Sequence, residues 1–253
     1  LSPEPMTLLG VGPRILALGR LAVRADWPVV GISGQPHRRA LEATLVLGCP
    51  AFSDPCEPVA DSRLVLMEAA DDALLQRIAP ALGWGALVGH LGPEGPLSVP
   101  SPGLPLVMHF LHDLPKLSED RADLAGGIVL LEGPPAALEG GAGLVRALGG
   151  LPQVAGRLPC LQALAARALV RRGEPGRASR LWSEAGLEAR WLSDPAPREA
   201  VGAVESESET CWLWPGEGHE AVSCEGSLAV LVRLLRDLDP QAARLLEEVE
   251  GEP

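Results

Sequence analysis

Alternation most constrains what this chain can fold into. From Met6 to Gly150 a short apolar run, a turn rich in Gly, Pro or Asp, and an Ala/Leu/Arg stretch recur in that order. Strands and helices in strict succession build a parallel sheet, because parallel neighbours need a crossover too long for a tight turn. The apolar runs are Met6–Leu9, Pro28–Ile32, a weaker one at 50–52, Leu64–Met67, Ala86–Gly89, Leu106–Phe110 and Gly127–Leu131. Several are apolar throughout, as strands covered on both faces are. Between them the spacing predicts helices over Ile15–Arg24, His37–Leu47, Asp72–Ala81 and Ala136–Leu148, the third capped by Asp71 or Asp72 and the last stopped by Gly149-Gly150. The expected class is α/β: a mostly parallel sheet flanked by helices.

Past Gly150 the rhythm changes. Residues 158–171 and 227–248 read as Ala/Leu helices, and Trp-bearing runs lie between them. A boundary near Gly156 divides the chain into a first domain, 1–156, and a smaller, mainly helical one, 157–253. Leu228, Leu231, Val232, Leu235 and Leu238 form an apolar stripe at helical spacing, suited to packing within the chain or against a second copy. The acidic run at 204–210 reads as a solvated linker, and the pairs Trp182/Trp191 and Trp212/Trp214 as packing residues.

Composition narrows the partners. The 29 Gly and 25 Pro would signal disorder were they not interspersed with runs able to bury a core. A formal charge of -12 without a basic stripe argues against nucleic acid. No apolar run approaches the ~20 residues that span a bilayer, so a soluble, cytoplasmic protein is expected. Five cysteines without a CxxC pair give no support to a zinc site or a disulfide framework.

The most pointed local signal follows the first strand, in LLGVGPRILALGRLAV. Gly10 suits a tight strand-to-helix turn, and Gly12 lets a diphosphate approach backbone N–H groups at a helix start, with Pro13 in the first turn. Ile15 stands where the third glycine of G-x-G-x-x-G belongs, and its branched side chain is expected to press the helix off the sheet or intrude on the cofactor. After the second run, Ser33 and Arg38, with Arg39 as an alternate, suit a 2′-phosphate, and His37 would border an adenine. NADP is therefore favoured over NAD. Glu68, Asp71 and Asp72 lie at the carboxyl edge, where their charge opposes close phosphate contact. His90, His109 and His112 fall near the same cleft, where an imidazole can orient a carbonyl or exchange a proton with a small-molecule metabolite.

Taken in order, GVG, Ser33 with Arg38, MEAADDAL at 67–74, VGH at 88–90, MHFLHDLP at 108–115 and VLLEGPPAALEGGAGLVRALGG at 129–150 resemble a bacterial Rossmann-like family with an uncharacterised helical second domain. That family is similar in its first domain to pyrroline-5-carboxylate reductase and 6-phosphogluconate dehydrogenase. The resemblance spans roughly residues 6–156. It implies an NAD(P)-binding domain followed by a helical domain for substrate enclosure and homodimerisation. Gly10 and Gly12 fall on its glycine loop, Ser33 and Arg38 on its ribose-phosphate loop, His90 on its strand-end histidine and His109 on the histidine before its proline-containing loop. The departures are Ile15, Leu91-Gly92 after His90, and Phe110 after His109.

Two functions remain. One is an NAD(P)-dependent oxidoreductase-like protein moving a hydride to or from a small metabolite, with His109, His112 or His90 assisting protonation. The alternative is a non-catalytic Rossmann-like binding or assembly protein with a degenerate cofactor site and no cofactor. S-adenosylmethionine-dependent transfer lacks the acidic residue it needs at the second strand end.

Overall fold

The computed structural model describes residues 3–111, 124, 126–171, 174–187 and 231–250. His112, the acidic run, Trp191, Trp212, Trp214 and Leu228 lie outside them. The chain divides into two compact units, with a break between Ala155 and Gly156.

The first unit is a Rossmann-like α/β sandwich. Its elements run β1 (Met6–Leu9), α1 (Pro13–Arg24), β2 (Val29–Ser33), α2 (His37–Leu47), β3 (Ala51–Phe52), α3 (Cys56–Ala60), β4 (Leu64–Met67), α4 (Asp72–Ile78), β5 (Leu87–His90), β6 (Leu104–Phe110), β7 (Ile128–Glu132), α5 (Pro135–Ala147) and β8 (Leu151–Val154). The eight strands lie in the order β3-β2-β1-β4-β5-β6-β7-β8. Every neighbouring pair is parallel except β6 with β7. Chain order reverses on either side of β1, so a crevice opens beyond the carboxyl ends of β1 and β4.

Alternate strand residues build the two layers of core. Met6, Leu8, Ile32, Leu64, Leu66, Leu106 and Met108 join residues of α1, α2 and α5 in one cluster. Leu9, Val65, Met67 and Val88 join Val59 of α3 and Leu74, Leu75 and Ile78 of α4 in the other. Asp71 is the cap of α4, its side chain accepting the Leu74 N–H at 2.9 Å.

Ile15 does not displace α1. It is fully buried in the first cluster, and the close approach of helix to sheet occurs one turn later, at Gly19. A Cβ on Gly19 would stand 2.6 Å from Leu8 Cδ1 and 2.9 Å from Leu47 Cδ2. The packing role of the missing third glycine has thus moved four residues along the same helix face.

In the second unit α6 (Arg157–Arg171) and α7 (Pro175–Glu184) pack together, and helical residues 231–236 lead to α8 (Pro240–Glu250). Asp239 joins the parts: Oδ2 accepts from Gln162 Nε2 at 2.9 Å, and Oδ1 accepts the Gln241 and Ala242 N–H groups that open α8. Leu231, Val232 and Leu235 of the apolar stripe are buried within the single chain, whereas Leu238 is half exposed. Among the described residues no helix is long and apolar enough to cross a membrane.

Candidate functional site

Parallel register brings the crevice residues together. Leu9 pairs with Ser33 on one side and Met67 on the other, so Gly10 emerges between the ends of β2 and β4. Gly10 adopts φ +136°, open to glycine at little cost, and donates its N–H to Ser33 O at 2.8 Å. The chain then enters α1 at Gly12 with Pro13 behind it, leaving the first helical N–H groups aimed into the crevice.

Those donors are taken. Glu68, the residue after β4, places Oε2 2.8 Å from the Gly12 nitrogen and accepts its N–H. The same carboxyl accepts the Arg14 N–H. The carboxyl stands where a side chain on residue 12 would have to begin, so any residue but glycine there would displace it. A negative side chain at the positive end of α1 does for the helix what a bound phosphate does elsewhere. Burial pushes the Glu68 carboxyl up from 4.5 to about 7, outweighing the Arg14 guanidinium and the N–H bonds from Gly12 and Arg14, all of which favour the charge. Arg14 also donates to Leu91 O, tying the start of α1 to the loop after β5.

The sequence placed Glu68 at this edge but not on the glycine turn itself. A dinucleotide diphosphate does not fit the turn as its side chains stand, because a carboxylate already fills the space beside Gly12 and holds the donors.

The second turn differs. Ser33 is buried at the end of β2, and Gly34 packs on the first turn, where a Cβ would meet Val11 Cγ1 at 2.6 Å. His37 opens α2 with its Nδ1 buried and, among the described residues, without a hydrogen-bond partner. Arg38 is exposed and pairs one turn along with Glu42, Nε to Oε1 at 3.0 Å, while Arg39 is exposed beside it.

His90 and His109 hold different posts. His90 ends β5 fully buried, and its Nδ1 accepts the Gly92 N–H at 3.1 Å. The ring proton therefore sits on Nε2, which lies 3.0 Å from Gly95 O and donates to it. Both nitrogens organise the loop after β5. His109 projects from β6 with Nε2 2.6 Å from Glu132 Oε1, and both side chains are buried. The antiparallel register explains the pair: Val107 faces Glu132 and His109 faces Leu130, so His109 and Glu132 are diagonal neighbours on one face. The one sequence signal for Glu132 is a carboxylate closing the otherwise apolar run IVLLE. These residues do not form one constellation: the glycine turn and Glu68 cluster at β1 and β4, and the His109–Glu132 pair belongs to β6 and β7.

No family model and no curated protein sequence matches the chain. Solved structures do. The 3-hydroxyisobutyrate dehydrogenase of Mycobacterium tuberculosis aligns with a TM-score of 0.57 at 15% identity, over 98% of this chain and 94% of that one. An imine reductase variant from Myxococcus stipitatus, in complex with NAD+, aligns at 0.51 and 17% identity over 75% and 69%. Prephenate dehydrogenase from Aquifex aeolicus aligns at 0.52 and 13% identity over 76% and 85%. This likeness establishes the fold: a Rossmann-type sheet of the kind found in NAD(P)-dependent dehydrogenases, followed by a smaller helical part.

Proposed function

We propose that this chain is a non-catalytic Rossmann-like binding or assembly protein whose dinucleotide site is degenerate, closed by its own Glu68. The observation that carries this reading is the Glu68 carboxyl on the Gly12 N–H at 2.8 Å. A diphosphate entering the turn must displace that carboxyl from two backbone donors and then lie beside its charge. Neutralising that charge costs about 1.4 kcal/mol at pH 8, one unit above its pKa of about 7, and the carboxyl must still give up both donors. The cytoplasmic location and the homodimer belong to the same proposal. Calorimetric titration of the whole chain with NADPH and NADH tests it: neither cofactor binds up to millimolar concentration, and Glu68→Ala gains binding. Saturable micromolar binding of NADPH by the unsubstituted chain overturns it.

A second reading is favoured by the second turn. Ser33, Arg38, Arg39 and the orphan Nδ1 of His37 make a polar border of the kind a phosphorylated adenosine would use. On this reading the chain is an NAD(P)-dependent oxidoreductase acting on a small metabolite, related in kind to pyrroline-5-carboxylate reductase and 6-phosphogluconate dehydrogenase. NADP is preferred, and the buried His109 stands as the candidate for proton exchange ahead of His90 and His112. It requires Glu68 to leave the turn. Its mark is NADPH binding by the unsubstituted chain that Arg38→Ala abolishes.

A further inference from the structure

The loop after β5 holds a pair of groups that neither turn of the crevice uses. It runs His90-Leu91-Gly92-Pro93-Glu94-Gly95, and the imidazole of His90 bridges it. Nδ1 accepts the Gly92 N–H at 3.1 Å, and Nε2 donates to Gly95 O at 3.0 Å. Only a neutral ring makes both bonds, because a protonated Nδ1 carries a hydrogen where the Gly92 N–H now points. His90 is fully buried, so either bond is costly to leave unmade.

Glu94 supplies the second half. Its Oε2 is buried and has no hydrogen-bond partner among the described residues. A side chain on Gly92 would begin against that oxygen and 3.3 Å from His90 Nδ1. Carboxylate oxygen and ring nitrogen therefore border the same small space. Both are acceptors, and the one lone pair of Nδ1 is taken by Gly92. A buried carboxylate oxygen without a donor carries an uncompensated desolvation cost, and a single proton on Nδ1 would supply the donor.

We propose that the loop Leu91–Gly95 is a proton-operated switch in which His90 Nδ1 changes from acceptor of the Gly92 N–H to donor toward Glu94 Oε2. One proton from solvent adds to Nδ1, the new N–H turns to the carboxylate, and the Gly92 N–H is released to water as the loop re-forms. Nε2 keeps its bond to Gly95 O throughout. The switch acts on the wall of the crevice, because Leu91, next to the released residue, accepts from Arg14 at the start of α1. Other titratable groups at this edge have bonds of their own. Glu68 sits on the Gly12 N–H, Asp71 caps α4 with Asp72 exposed beside it, and His109 of β6 is bonded to Glu132 of β7. Glu94 is the carboxylate that shares the ring's own loop. The proposal does not depend on what the crevice binds.

The test follows the full ¹⁵N-labelled chain by NMR from pH 8 to pH 5, with the His90 ring signals identified by their loss in His90→Asn. The expected result is that His90 Nδ1 passes from its unprotonated to its protonated ¹⁵N shift while the assigned Gly92 amide moves through the same midpoint. Glu94→Gln, a change at a half-buried residue, keeps an acceptor oxygen and removes the charge. It lowers that midpoint by about one pH unit, the tenfold loss of proton affinity that a missing charge-assisted bond gives. A His90 ring that stays neutral until the chain unfolds overturns the proposal. So does a ring that titrates while the Gly92 amide stays where it was. A midpoint unchanged in Glu94→Gln overturns it as well, since the proton on Nδ1 then has a partner other than Glu94.

Discussion

The two turns that would grip a dinucleotide have gone different ways. At the first, after β1, the backbone donors of Gly12 and Arg14 are satisfied from within by Glu68. At the second, after β2, His37 Nδ1 is buried without a partner among the described residues, and Arg38 pairs with Glu42, an exposed neighbour one turn away. The turns touch through Gly34 and Val11, so the difference is not one of distance. It lies in which side chain follows each neighbouring strand. On the proposed reading, the crevice closes its diphosphate half while Ser33, His37 and Arg38 stay in place at the other.

The largest effect separates the two candidate causes of closure. Ile15 breaks the glycine pattern, yet it is a core residue, fully buried between α1 and the sheet. Ile15→Gly removes a buried side chain and adds a helical glycine, costing about 4 to 6 kcal/mol of stability. It opens no phosphate site, because Glu68 still occupies the turn. Denaturant unfolding together with NADPH titration checks both halves, and NADPH binding by this variant would move the blame from Glu68 to Ile15. Glu68→Ala has the opposite signature. At pH 8, one unit above the Glu68 pKa of about 7, neutralising its charge costs about 1.4 kcal/mol, so its removal corresponds to about tenfold tighter NADPH binding, measured by calorimetry. Unchanged binding would mean that the two turns are alike after all.

Much of this contrast was legible in the sequence, and the part that was not has a physical reason. Met6–Leu9, Leu64–Met67 and His37–Leu47 form the elements expected of them with the same bounds, because an apolar run between turn residues and a helical spacing are local properties. The strand Leu151–Val154 escaped notice because L-P-Q-V neither alternates nor forms an apolar run. The helix Cys56–Ala60 is five residues with a proline inside. The reversed direction of β7 leaves no trace in its hydrophobic pattern. Glu68 was placed at the right edge of the sheet, but its seat on the Gly12 N–H follows from the β1–β4 register, which pairs residues nearly sixty positions apart. The bond from Glu132 to His109 likewise follows from how two antiparallel strands align.

Glu68 also ties the closed turn to pH. Its folded pKa of about 7 lies above the ordinary 4.5, so between those values the folded chain holds a proton that the unfolded chain has released. A group raised in this way stabilises the fold in acid, and its contribution is lost as pH rises through about 7. Glu68→Gln keeps the shape and an acceptor oxygen while removing the titration. Relative to that variant, the unsubstituted chain loses about 2 to 3 kcal/mol between pH 4.5 and pH 8, read as the change in their stability difference by urea unfolding. A difference that stays constant across that range would place Glu68 in water rather than in the turn, and the two turns would lose their contrast.

The smallest effect tests whether the second turn is a binding surface or an ordinary helix start. Arg38 and Glu42 form an exposed pair at i,i+4 spacing, an arrangement worth only about 0.3 to 0.5 kcal/mol to stability. Arg38→Ala should therefore leave unfolding almost unchanged. The informative background is Glu68→Ala, in which the first turn no longer repels a diphosphate. If the second turn reads a 2′-phosphate, adding Arg38→Ala weakens NADPH about tenfold and leaves NADH unaffected, since the lost contact is a charge-assisted bond to a group that NADH lacks. If both cofactors weaken alike, Arg38 contributes only to the general field of the crevice. If neither weakens, Ser33 and Arg38 are scaffold, and the open half of the crevice is open for some other ligand.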